Sequence, residues 1–104
     1  MATIIPNLVS VNNNTNPTNA FVQLNSETKD CVILVYTNVV LETTTADNAA
    51  EALANWNAGK KFYMQSSNST ASDGYNRLWG SPARYWIREA GTAANGYASM
   101  VLIS

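Results

Sequence analysis

Residues 31–36, Cys-Val-Ile-Leu-Val-Tyr, form an unbroken apolar run. Successive side chains of a strand point to opposite faces of its sheet, so this run places apolar groups on both sides. A strand of that kind belongs in the interior of a sheet and calls for cover above and below. The expected fold is therefore mainly β: a compact antiparallel β-sandwich or partly open barrel.

Around this strand the chain supplies further short strands. Residues 3–11 read as a strand that Pro6 confines to an edge or a bend, because proline has no N–H for a ladder. Residues 12–19, Asn-Asn-Asn-Thr-Asn-Pro-Thr-Asn, are too polar to pack and rich in turn formers. Residues 1–19 thus read as an extended N-terminal arm carrying an edge strand, ahead of a single β-rich domain over 20–104. Strands are expected at 20–24, 31–41, 60–66, 83–89 and 97–104, about six in all with the first.

One segment changes period. Ala46, Ala49, Ala50, Leu53 and Trp56 recur at helical spacing and predict one short helix over about 46–58. Thr44 or Thr45 is placed to cap it, Gly59 to stop it, and Trp56 to anchor it. Residues 67–82 show no clear period and read as a long connection.

Only 6 basic and 7 acidic residues occur among 104, for a net charge of −1. That charged share is about half the usual ~25% of a globular chain. A surface of short neutral polar groups suits a protein that packs against copies of itself or a partner. Near-zero net charge gives no long-range pull on a polyanion, so nucleic acid is disfavoured. No run approaches the ~20 apolar residues of a membrane span, and the N-terminus lacks a secretion-signal pattern. Cytoplasmic synthesis is expected, with any role outside reached by lysis, by a dedicated machine or as part of a particle, and the particle surface as the expected location.

Reactive equipment is sparse. There is no histidine and a single cysteine, Cys31, which its neighbours mark as a small core residue. Imidazole bases, His-based triads and thiolate metal clusters are thereby excluded. Glu42 and Glu89 would have to face each other to act as a catalytic carboxylate pair, and their spacing gives no sign of it. No catalytic, cofactor or metal residues are expected.

The aromatic and basic residues remain. In a strand Arg84, Trp86 and Arg88 share one side, while Tyr85 and Ile87 share the other and face the core. Trp86 would lie between two guanidinium groups. That arrangement reads as a self-contained cation–π ladder, as a protein interface, or as a sugar platform. Tyr75, Arg77 and Trp79, in the preceding segment, are expected to extend the same patch.

These features together describe a structural particle protein of the bacteriophage head-decoration, cement or fibre-base type, working by adhesion rather than chemistry. Its expected partners are copies of itself in a symmetric homo-oligomer, with a trimer as one candidate stoichiometry, and a major capsid or other particle protein. The alternative is a small lectin in which Trp86, Trp79 and Tyr75 stack on sugar rings.

Overall fold

The computed structural model describes residues 4–11, 18–65, 75–91 and 96–103, with residues 4 and 5 described for backbone alone. The chain runs β1 (Ile4–Ser10), β2 (Val22–Gln23), β3 (Cys31–Thr37), β4 (Leu41–Thr45), α1 (Ala49–Asn57), β5 (Phe62–Met64), β6 (Tyr75–Gly80), a 3-10 turn (Pro82–Arg84), β7 (Tyr85–Glu89) and β8 (Tyr97–Ile103). Two four-stranded antiparallel sheets result: sheet A in the order β1-β8-β3-β6, and sheet B in the order β2-β7-β4-β5.

The order has a simple logic. β4 pairs β5, β3 pairs β6, β2 pairs β7 and β1 pairs β8, so the pairs are nested one inside another. The chain is in effect one long hairpin, folded at the α1 region and wrapped so that alternate pairs fall in opposite sheets. This is the arrangement of a jelly roll, an eight-stranded double-sheet Greek-key sandwich.

The expected β-sandwich with one short helix is what forms, with eight strands rather than about six. The run expected as one strand over 31–41 is two. Thr37 Oγ1 donates to the Val39 carbonyl at 2.7 Å and accepts from the Val39 N–H at 3.2 Å, and the Asn38 side chain accepts from the Tyr97 N–H. These bonds turn the chain through 38–40 and send β4 into the other sheet. β6 lies inside the segment read as a long connection. Its inward positions are Asn76, Leu78 and Gly80, so only one of the three is a large apolar side chain and the alternation is hidden.

Between the sheets lies the main core, with Leu24, Ile33, Leu41, Met64, Ile87 and Met100 all but sealed from water. Residues 4–10 of the expected arm are an edge strand paired with β8 along its whole length. Residues 12–17 lie outside the described residues.

α1 covers the outer face of sheet B. Its cap is Asn48, whose side chain accepts from the Glu51 N–H, rather than Thr44 or Thr45. Thr44 instead donates to the Lys60 carbonyl, bracing the segment that follows the helix. Gly59 takes a positive φ of 87° just past the end, as a helix stop requires. The buried stripe is Ala52 and Trp56, one turn apart, while Ala49, Ala50 and Leu53 face solvent. Phe21 and Ala46 join them in a second small core.

Gly96 is fixed by packing. A Cβ there would sit 2.7 Å from Glu89 Oε2 and 3.3 Å from Val11 Cγ2. Glu89 is itself buried and has little room to withdraw. Gly96→Ala is therefore expected to cost about 1–3 kcal/mol by overpacking. A lowered urea midpoint with unchanged slope checks this; a change within about 0.5 kcal/mol, as for an ordinary surface position, contradicts it.

Candidate functional site

Sheet A differs from sheet B in what covers its outer side. The strand registers align its outward residues in rows: Trp79, Val32 and Ile103; then Arg77, Leu34, Val101 and Pro6; then Tyr75, Tyr36, Ser99 and Leu8; and at the end Tyr97 and Ser10. Nearly every member is apolar or aromatic. Leu8 is 69% exposed, Trp79 65% and Tyr75 56%, while the Val, Leu and Ile side chains between them are partly buried. No element among the described residues packs over this face.

Among the residues of these rows Arg77 is the one charge, and Asp30 stands at their corner. Arg77 lies with its guanidinium 5.9 Å from the centre of the Trp79 ring, and Tyr36 and Tyr75 pair with ring centres 5.8 Å apart. A hollow of about 350 Å³ opens at one corner, lined by Asp30, Cys31, Val32, Trp79, Gly80 and Ile103. Aromatic and arginine side chains around a pocket of this kind are the residue types that concentrate binding energy in protein interfaces.

The sequence candidates divide into two groups. Tyr75, Arg77 and Trp79 stand together on β6, at the margin of the outer face. Trp86 and Arg88 belong to β7 of sheet B and do not extend that patch, while Arg84 meets Trp79 only in a cleft at one end of the sandwich. Arg84 lies in the 3-10 turn and forms an ion pair with Asp47. Trp86 does point to the outer side of its sheet, but α1 covers it. Its Nε1–H donates to the Ala46 carbonyl at 3.0 Å and its ring packs on the small core. It is partly buried there.

Arg88 has a cation–π role, though with other rings than expected. Its guanidinium lies 4.3 Å from the Phe21 ring centre and 5.5 Å from that of Trp56, and its Nε donates to Glu42 Oε1 at 2.5 Å. Arg88 thus clamps α1 to sheet B. The residues of the apolar face that sequence reasoning missed are Leu8, Val32, Leu34, Tyr36, Val101 and Ile103. The signal is present in the run 31–36, whose pattern implies cover on both faces without saying what supplies it.

Glu42 and Glu89 do not meet. Glu42 stands opposite Arg88 and Glu89 opposite Leu41 on the neighbouring strand, so the two carboxylates project from opposite faces of sheet B. Among the described residues no three His, Cys, Asp or Glu side chains gather. No helix among them is long and apolar enough to cross a membrane.

A second feature is an open cleft of about 770 Å³ at one end of the sandwich, where Trp79, Asp30, Asp47, Arg84, Gln23 and Tyr85 converge. The Tyr85 hydroxyl donates to the Trp79 carbonyl at 2.6 Å, and burial pushes its phenol pKa up. Cys31 is half-buried rather than sealed in the core. Burial, with Glu27 and Asp30 nearby, raises its thiol above the ordinary range.

Comparison with protein-family models, curated proteins and solved structures finds no match. The functional reading therefore rests on geometry.

Two outcomes follow. Arg88→Ala is expected to destabilise the fold by about 2 kcal/mol, because it strands a partly buried carboxylate and opens the clamp on α1. Thermal or urea unfolding reads this; an unchanged midpoint would return Arg88 to the list of free binding residues. Cys31 is expected to alkylate slowly at neutral pH, with a rate still rising at pH values where an ordinary thiol has levelled off. A rate already at its plateau near pH 8 would contradict the raised pKa.

Proposed function

We propose that this chain is a structural subunit of an assembled particle, of the capsid-decoration or cement kind, and that it acts by adhesion through the outer face of sheet A. The observation that carries the reading is that this face is mostly apolar and aromatic, with Leu8, Trp79 and Tyr75 exposed, and that no described element packs over it.

Magnitudes support it. Four strands about 4.8 Å apart, each about seven residues long at ~3.3 Å per residue, span roughly 19 by 23 Å. That footprint, on the order of 400 Å², lies in the range of the largest apolar patches on monomers, which are often functional. Burying it is worth on the order of 10 kcal/mol at ~25 cal/mol/Å² before the costs of association. Surrounding charge is sparse, so little electrostatic repulsion opposes close approach of a neutral partner. The jelly-roll topology serves viral capsids and lectins alike, and topology by itself does not choose between them.

The test is self-association. The wild type is expected to sediment as an oligomer at micromolar concentration. Val101→Lys and Leu34→Lys, at the middle of the face, are expected to weaken assembly at least tenfold, about 1.4 kcal/mol, while leaving the fold intact. A wild type that remains monomeric throughout the micromolar range contradicts the proposal.

A second reading has its own observation. Trp79, exposed beside Asp30, Asp47, Arg84 and Gln23 in the 770 Å³ cleft, presents an aromatic plate next to polar groups suited to sugar hydroxyls. The lectin expected from sequence would then use Trp79 without Trp86. A glycan array decides: binding lost on Trp79→Ala supports this reading, and silence across the array removes it.

A further inference from the structure

A double-sheet sandwich has four edges, and three are guarded. β1 carries Pro6, β2 is two residues long and β5 three. Short edge strands and proline both prevent one chain from adding to another. β6 is the exception: six residues, Tyr75–Gly80, with no proline and no inward-pointing charge.

The direction of its backbone groups can be worked out. The Asn38 N–H donates to the Tyr97 carbonyl, so the even-numbered residues of β3 turn their backbone groups toward β8 and the odd-numbered ones toward β6. Through the register Val35↔Asn76 and Ile33↔Leu78, Asn76 and Leu78 bond to β3, which leaves those of Tyr75, Arg77 and Trp79 facing outward. The bond from the Tyr85 hydroxyl to the Trp79 carbonyl agrees with this and already occupies one outward group. Tyr75 and Arg77 retain a free N–H and C=O pair each for a neighbouring strand.

An independent observation marks the same strand. Asn76, on its inner side, has an Nδ2 that is shut off from water and bonded to nothing. A buried donor without an acceptor is rare in folded proteins and costly to maintain.

We infer that β6 is the docking edge for a second copy of this chain, paired antiparallel about a two-fold axis that passes between the two Asn76 residues. This rests on the assembly reading above and names one of its contacts. In that register Tyr75 of one copy is opposite Arg77 of the other, so the outward backbone groups of both strands bond in pairs. Asn76 faces Asn76 as a non-hydrogen-bonded pair, in which Cα atoms are only ~4.5 Å apart and side chains lie closest. Each amide can donate to the other. The outer side gains two Arg–Tyr cation–π contacts. The register shifted by one step, with Arg77 opposite Arg77, places like charges together and is disfavoured. A shift further would need the Trp79 carbonyl that Tyr85 holds.

The pairing also resolves a shortfall in area. One outer face offers on the order of 400 Å², while a standard interface buries ~800 Å² per partner. Two copies joined at β6 form a continuous eight-stranded sheet with twice the face. The contact is two-fold, so it builds dimers and even-numbered assemblies rather than the trimer considered from sequence.

The test is a cross-link. With Cys31→Ser leaving no other thiol, Asn76→Cys puts two sulfurs at a separation a disulfide spans, about 4.4–6.8 Å between Cα atoms. Mild oxidation is expected to convert most of the protein to a covalent dimer, whereas Tyr63→Cys, exposed on β5, is expected to give little. Adding Arg77→Pro removes an outward-facing N–H and the guanidinium that would face Tyr75 of the other copy, and leaves the bonds from Asn76 and Leu78 to β3 in place. It is expected to cut the yield at least tenfold with the circular dichroism spectrum unchanged. An Asn76→Cys protein that is oligomeric yet gives no covalent dimer overturns the edge pairing and leaves the face reading standing. A ready cross-link together with assembly indifferent to Val101→Lys does the reverse. A wild type monomeric at every concentration overturns both.

Discussion

β3 carries apolar side chains on both of its faces, and a single sandwich has only one interior to offer them. Ile33, Val35 and Thr37 take that interior and are fully buried. Val32, Leu34 and Tyr36 point the other way and are left half-covered. Sheet B meets the same difficulty differently: α1 lies across it, and Trp86, Phe21 and Trp56 close into a second core beneath the helix. Sheet A has no such helix among the described residues. Its outer face is one whose burial the described residues do not complete, and the proposed adhesion rests on that imbalance.

The sandwich's edges point the same way. Proline and brevity protect β1, β2 and β5, whereas β6 keeps outward backbone groups and an amide without an acceptor. An unguarded edge beside an uncovered face is a hazard in a monomer, since both invite unspecific association. In a subunit with defined neighbours they are the two contacts from which an assembly grows. The low charge fits this, because mixed surface charge serves mainly to hold molecules apart.

Legibility in the sequence followed how local each cause is. The run 31–36 announces a central strand, and the spacing of Ala46, Ala49, Ala50, Leu53 and Trp56 a helix, because both patterns are local, although Ala52 rather than Ala49, Ala50 or Leu53 is buried with Trp56. The break between β3 and β4 escapes notice since no glycine or proline marks it; side-chain bonds from Thr37 and Asn38 make the turn. β6 is hidden by Asn76 and Gly80 on its inner side. The alternation of residues 84–88 puts Trp86 and Arg88 on an outer face correctly, but exposure depends on what lies above. α1 covers them, and that is a fact of topology. Conversely, the run 31–36 implies cover on both sides, and the missing second cover is a property of how the layers stack rather than of the run itself.

The central claim is that the outer face of sheet A is covered when the protein is in its working state. Oxidative footprinting of Trp79 and Tyr75 across a dilution series measures this directly, since both rings stand in water on the isolated chain. The account predicts slow labelling of both at high concentration and fast labelling after dilution, with Trp86 slow throughout. Equally fast labelling of Trp79 and Tyr75 at every concentration would contradict it.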